Sequence, residues 1–156
     1  MLLSNIANRS QRAEADCLVA CCQMVLDYLG IQRDYEWLIK MLETTEIGTP
    51  FSNIEKLKER LGVAIERAEQ GTLTTFAPYL ESGLPVIVAV DADQPNLWPH
   101  YPHHAVVVVG FSADEVYVNN PAAGDAPQAV AIDTFLWAWS RRDYEYAVIR
   151  LVEEPE

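Results

Sequence analysis

The sequence predicts an α+β domain in which N-terminal helices pack on a C-terminal, mostly antiparallel sheet. Two observations carry this. Apolar residues recur at helical spacing through most of the first half of the chain, and after Gly83 dense β-branched runs take over. Half of the 156 residues are hydrophobic, and no linker, repeat or low-complexity stretch interrupts them, so one domain over residues 1–156 with a proper core is expected.

The elements follow in order. Leu18, Cys21, Cys22, Val25, Leu26 and Leu29 mark a first amphipathic helix that Gly30 stops. Residues 35–42 fit a second, with Asp34 as its N-cap. Ser52 and Glu55 form a capping-box pattern ahead of Leu57 and Leu61, and Gly62 closes that third helix. Residues 63–68 form a short strand. Residues 74–81 form a further helix, with Pro78 tolerated near its first turn. Residues 85–90, 105–109 and 116–118 are strands, 133–139 a short helix, and 146–151 a last strand. Residues 91–102 and 119–128 lack a periodic pattern and read as long loops, which in a compact domain are often functional.

Charge excludes some partners. Eleven basic residues stand against twenty-three acidic ones, a formal net of -12. Such a surface does not displace counterions from nucleic acid or dock on anionic lipid. No stretch reaches the roughly 18 apolar residues of a membrane span, and Leu2-Leu3 is not followed by a signal-peptide core. Cys17, Cys21 and Cys22 crowd one helix pattern, which argues against a disulfide framework and for a reducing, cytoplasmic setting.

Chemistry concentrates at a few positions. Cys17 opens the first helix pattern, where unpaired amides and the helix dipole favour thiolate over thiol. Cys21 and Cys22 lie inside the apolar pattern and read as core. A thiol nucleophile needs a base that titrates near neutrality, and the histidines available are His100, His103 and His104. His104 is preferred because it abuts the 105–109 strand, which would hold it rigidly. His103 is the runner-up, on the opposite face by strand alternation. Asn120 ends the neighbouring strand pattern across a short hairpin with Ser112, Ala113 and Asp114 at its turn. Its carbonyl would accept the imidazole N–H and select the tautomer that faces sulfur. Taken alone, Asn119-Asn120-Pro121 is ordinary turn composition. The Gln11 side chain and the Cys17 backbone N–H would donate to a developing oxyanion, although Gln11 by itself reads as a loop residue. A competing zinc site would draw on His100, His103 and His104 with Asp91 and Asp93, but ordered helical histidine spacing does not back it. Trp98, Tyr101, Trp137 and Trp139 read as core and cleft wall, and a glycine-rich phosphate loop is lacking.

In this order and spacing the motifs resemble the bacteriocin-processing cysteine peptidases, which cleave double-glycine leader peptides and often form the N-terminal domain of export transporters. The likeness runs from Gln11, Asp16-Cys17, Ala20-Cys21 and the Met24 to Gly30 helix end through Leu84-Pro85-Val86-Ile87-Val88. It continues in His104-Ala105-Val106-Val107-Val108, in Asn120-Pro121-Ala122 with Gly124, and in Thr134-Phe135 to Trp137. The resemblance implies a papain-like fold, with Cys17 as nucleophile, His104 as general base and acid, Asn120 as orienting residue and Gln11 as oxyanion donor. Two positions depart from the family. Leu18 stands where glycine is usual, which predicts crowding of the cleft, and Asn120 replaces an aspartate. With no transporter domain following, the expectation is a stand-alone peptidase that takes a peptide or protein substrate and needs no cofactor. Deamidation or acyl transfer on the same fold, or peptide binding without cleavage, are the alternatives.

Overall fold

Helix α1, Cys17–Tyr28, buries Leu18, Val19, Ala20, Cys21, Cys22, Met24, Val25 and Leu26, following the apolar periodicity of the sequence. This computed structural model describes residues 2–91, 103–123 and 127–152. A single 3-10 turn, Glu14–Asp16, leads into α1. The helix ends in a Schellman motif around Gly30 at φ 87. There the Gly30 N–H donates to Asp27 (3.0 Å) and the Ile31 N–H to Leu26 (2.8 Å), a left-handed closure that glycine adopts without strain.

Helix α2, Tyr35–Met41, starts after Asp34, whose side chain makes no capping bond. The capping box expected at Ser52 and Glu55 does not form. Residues Phe51–Lys56 wind as a 3-10 helix behind Pro50, and only Leu57–Leu61, α3, is α-helical. Glu55 instead turns its carboxylate to Lys58 and Arg67. Strand β1, Val63–Ala68, follows. A capping box does occur at α4, Leu73–Glu81, between Thr72 and Thr75, where the Thr72 N–H donates to Thr75 Oγ1 at 2.9 Å. Pro78 falls in the second turn of α4 rather than the first, so the Thr74 carbonyl loses its usual helical donor.

The remaining elements are β2 (Val86–Val90), β3 (His104–Phe111), β4 (Glu115–Asn119), β5 (Gln128–Ala131), α5 (Ile132–Ser140) and β6 (Tyr146–Leu151). Strand β5 lies partly within the stretch expected to be a loop. The six strands form one sheet in the order β1-β6-β2-β3-β4-β5, antiparallel at every pairing.

Strand alternation gives the sheet two apolar faces. Ile87, Ala89, Ala105, Val107, Val109, Ala147 and Ile149 pack under α1, α2 and α3. Val86, Val88, Val106, Val108, Val118 and Val148 pack with Phe76, Phe135 and Trp139 of α4 and α5. The N-terminal helices therefore cover one face as expected, while α4 and α5 add a third layer on the other.

The segment before α1 runs as a strap along β3 and β4. A bulge between Val108 and Gly110 interrupts the β3–β4 register, and the Val109 carbonyl accepts from the Leu3 N–H at 2.7 Å. Asn119 Nδ2 donates to Ile6 O (3.1 Å). Asn8 Nδ2 donates to Asn120 O (3.2 Å) and Ala123 O (2.8 Å). The Gln11 N–H then bonds Pro121 O at 3.0 Å. This ladder brings Gln11 to the end of β4.

Candidate active site

Three parts of the fold converge. The strap delivers Gln11, the start of α1 delivers Cys17, and the facing ends of β3 and β4 deliver His104 and Asn120. Antiparallel pairing accounts for the last two, because β3 begins where β4 ends; Val107 pairs with Asn119.

His104 Nε2 lies 2.8 Å from Asn120 Oδ1, with both side chains buried. The roles in this contact follow from the backbone. The Ala122 N–H donates to the same Oδ1 at 2.9 Å, which fixes that atom as the acceptor end of the amide. Asn120 Nδ2 agrees, donating to Gln128 Oε1 at 3.1 Å. Nε2 of His104 therefore carries the proton, and Nδ1 holds the lone pair of the neutral imidazole. Burial pushes the imidazole down to about 4, and the bond to Asn120 acts in the opposite direction. His104 is neutral at physiological pH.

Cys17 is half-buried, whereas Cys21 and Cys22 are buried. Its thiol is close enough to the backbone N–H groups of Ala105, Leu18 and Cys17 itself for each to favour the thiolate. Ala105 directly follows His104, so the sulfur meets β3 next to the imidazole. Desolvation nevertheless outweighs these donors, and the Asp16 carboxylate adds to it, so the thiol is pushed up from its ordinary value. The thiolate preference expected from the helix start is thus overridden by burial. Cys17 therefore rests as a thiol and His104 as a neutral imidazole.

Gln11 Nε2 donates to Ala13 O at 2.9 Å, at the other end of the short segment that leads to Cys17. Leu18 does not crowd the site. It is 2 % exposed and packs in the core on the helical face of the sheet. Cys17 opens instead onto a cleft of about 610 Å³, lined on one side by Glu43, Thr45, Ile47, Pro50 and Asn53 and on the other by His103 and Arg142. His103, the runner-up base, is exposed at this rim and meets the Arg142 guanidinium.

Of the residues named for zinc, His100 and Asp93 lie outside the described residues, as do Trp98, Tyr101 and Gly124. Among the described residues, no group of three or more His, Cys, Asp or Glu side chains is arranged to hold a metal. No helix among them is long and apolar enough to cross a membrane. Sequence reasoning missed Gln128 and the Ala122 N–H as partners of Asn120. The short alternation of Gln128, Ala129, Val130 and Ala131 was the available signal for β5.

Comparison with known proteins gives the family and the fold. The profile of the peptidase C39 family matches residues 6–143. The lactococcin-G-processing and transport ATP-binding protein LagD of Lactococcus lactis subsp. lactis is 27 % identical over 121 residues, 78 % of this chain. The match spans only 16 % of that relative's length. Among solved structures, a C39-like peptidase from Bacillus anthracis superposes with a TM-score of 0.79 at 19 % identity, covering 99 % of this chain and 98 % of the other. A double-glycine-motif protease from an AMS/PCAT transporter, solved with its leader peptide, gives a TM-score of 0.72 at 16 % identity, covering 96 % of this chain and 94 % of the other. The fold is that of these papain-like peptidase domains.

Proposed function

This chain belongs to the peptidase C39 family, and on that premise we propose that it cleaves peptide bonds with Cys17 as nucleophile, His104 as general base and acid, Asn120 as orienting residue and Gln11 as oxyanion donor. The observation that carries this reading is the His104 Nε2 to Asn120 Oδ1 bond with its acceptor fixed by Ala122. It leaves the lone pair of Nδ1 on an imidazole whose neighbour Ala105 touches the Cys17 thiol.

In the first step the Cys17 proton passes to His104 Nδ1 as sulfur attacks the peptide carbonyl. The tetrahedral oxyanion is held by the Cys17 backbone N–H and the Gln11 side-chain amide. The imidazolium then gives its proton to the leaving amine, and a thioester forms. Water, deprotonated by the same imidazole, attacks the thioester and releases a carboxylate product and the thiol. No step calls for a cofactor. Because the nucleophile comes from the helical layer and the base from the sheet, we read residues 1–156 as one catalytic unit. The need for a free thiol supports a reducing compartment such as the cytoplasm.

For the substrate we propose a peptide with paired glycines before the scissile bond, as in the double-glycine-motif protease that shares this fold. Glycines at these positions let the substrate backbone approach the walls of the cleft closely. The test uses a quenched-fluorescent Gly-Gly peptide together with iodoacetamide at pH 6. Cys17 should be alkylated far faster than Cys21 or Cys22, and Cys17→Ala should abolish cleavage. His104→Ala should lower both alkylation and cleavage, the latter roughly 10²- to 10⁴-fold. Equal, slow labelling of all three thiols would overturn the proposal. Selective labelling with glutamine deamidation or amine acylation in place of cleavage would reassign the chemistry.

A further inference from the structure

Between Gln11 and Cys17 the chain makes a short excursion whose shape decides whether the two oxyanion donors point at one spot. Both ends of that excursion are held by a single oxygen. The hydroxyl of Tyr35, the first residue of α2, accepts from the Arg12 N–H at 3.0 Å and donates to Asp16 Oδ2 at 2.9 Å. Arg12 is the residue after Gln11 and Asp16 the residue before Cys17. Tyr35 and Asp16 are 3 % and 7 % exposed, and the Arg12 guanidinium lies over the Tyr35 ring, 4.3 Å from its centroid. Inside the excursion, the Ala13 carbonyl accepts from both the Asp16 N–H (3.1 Å) and Gln11 Nε2 (2.9 Å).

We propose that Tyr35 is a positioning residue for the oxyanion site, its hydroxyl setting the separation and aim of Gln11 and the Cys17 amide. The inference rests on the peptidase reading above. The Tyr35 hydroxyl lies outside the Cys17–His104–Asn120 proton path, because its two partners are Arg12 and Asp16. Packing alone would need only the ring, which Phe retains. The hydroxyl adds the two bonds that tie Arg12 to Asp16, the Asp16 bond buried and the Arg12 bond part-buried, where water replaces them less readily than at the surface.

Two reactions of the same thiol separate this role from a structural one. Peptide hydrolysis builds an oxyanion and needs its donors. Alkylation by iodoacetamide displaces iodide from a saturated carbon, builds no oxyanion, and needs only the thiolate that His104 generates. Tyr35→Phe should therefore lower kcat on the Gly-Gly peptide about tenfold with KM little changed, since a modest misplacement of catalytic groups costs up to about 10²-fold. Its Cys17 alkylation rate should stay within about twofold of the parent, which also reports that the variant is folded. Asp16→Asn retains an oxygen acceptor for the Tyr35 hydroxyl and should hydrolyse within a few-fold of the parent. Gln11→Ala, which removes one donor outright, should lose about 10²- to 10³-fold in kcat with alkylation intact.

The proposal on Tyr35 is overturned if Tyr35→Phe hydrolyses at the parent rate. It is equally overturned if hydrolysis and alkylation fall in the same proportion, or if Asp16→Asn loses as much as Tyr35→Phe. Retention of full hydrolysis by Gln11→Ala or Cys17→Ala would instead defeat the catalytic roles given to those two residues, and absence of hydrolysis by the parent would defeat the peptidase reading itself, so the failures are distinguishable.

Discussion

The partner of His104 is an amide where a carboxylate would have made an ion pair. Burial keeps that imidazole neutral and the Cys17 proton on sulfur, and the uncharged amide offsets this only in part. Asn120→Asp should reverse this bias. A carboxylate at Oδ1 favours imidazolium, hence thiolate, so alkylation of Cys17 at pH 6 should rise roughly tenfold. An unchanged or slower rate would show that Asn120 does not act on the imidazole. His104 also couples folding to pH. Its folded value is about 4 against 6.5 for the free side chain. Between these values the unfolded chain binds a proton that the folded chain refuses, so stability falls as pH drops from about 6.5 to about 4, by on the order of 3 kcal/mol. Urea unfolding midpoints measured across that window should fall less steeply in His104→Ala than in the parent.

At the scale of elements, strong periodicity and glycine stops made α1 and its Gly30 closure readable from sequence, and β-branched runs did the same for β2 and β3. Cys17 and His104 were readable for the same reason, since each opens one of those well-signalled elements, and Asn120 follows the shorter pattern of β4. What escaped was set by contacts distant in sequence. Ser52 and Glu55 have the spacing of a capping box, yet Glu55 is drawn to Arg67 on β1 and the segment winds as a 3-10 helix. β5 is an edge strand of four residues with only Val130 fully buried, too short for alternation to stand out. The Tyr35 hydroxyl and the desolvation of Cys17 depend on which surfaces close over which, and local pattern does not encode that. Gly71 is a further case. A Cβ there would lie 2.9 Å from the Trp139 and Tyr146 rings, so the stretch between β1 and α4 passes too close to α5 and β6 for a side chain. Gly71→Ala should destabilise the fold by about 1–3 kcal/mol through overpacking. Because that contact lies on the sheet face away from α1, kcat per folded molecule should be unchanged in thermal-melt and turnover assays run side by side.

Over the whole molecule, the two faces of the sheet divide the labour. The face under α1 supports Cys17, while Phe76, Phe135 and Trp139 build a second core beneath α4 and α5. The N-terminal strap joins the helical layer to the end of β4, so Gln11 is tied to the same turn that carries Asn120. The sheet order adds a consequence in time. β6 follows the other five strands in the chain but lies between β1 and β2, pairing Ala64 with Arg150 and Ile87 with Ala147. While the polypeptide emerges from the ribosome, β1 and the β2–β5 ladder have no strand to join them, and such long-range pairing is slow to form. The two halves of the sheet can therefore be joined only after nearly all of the domain has been translated.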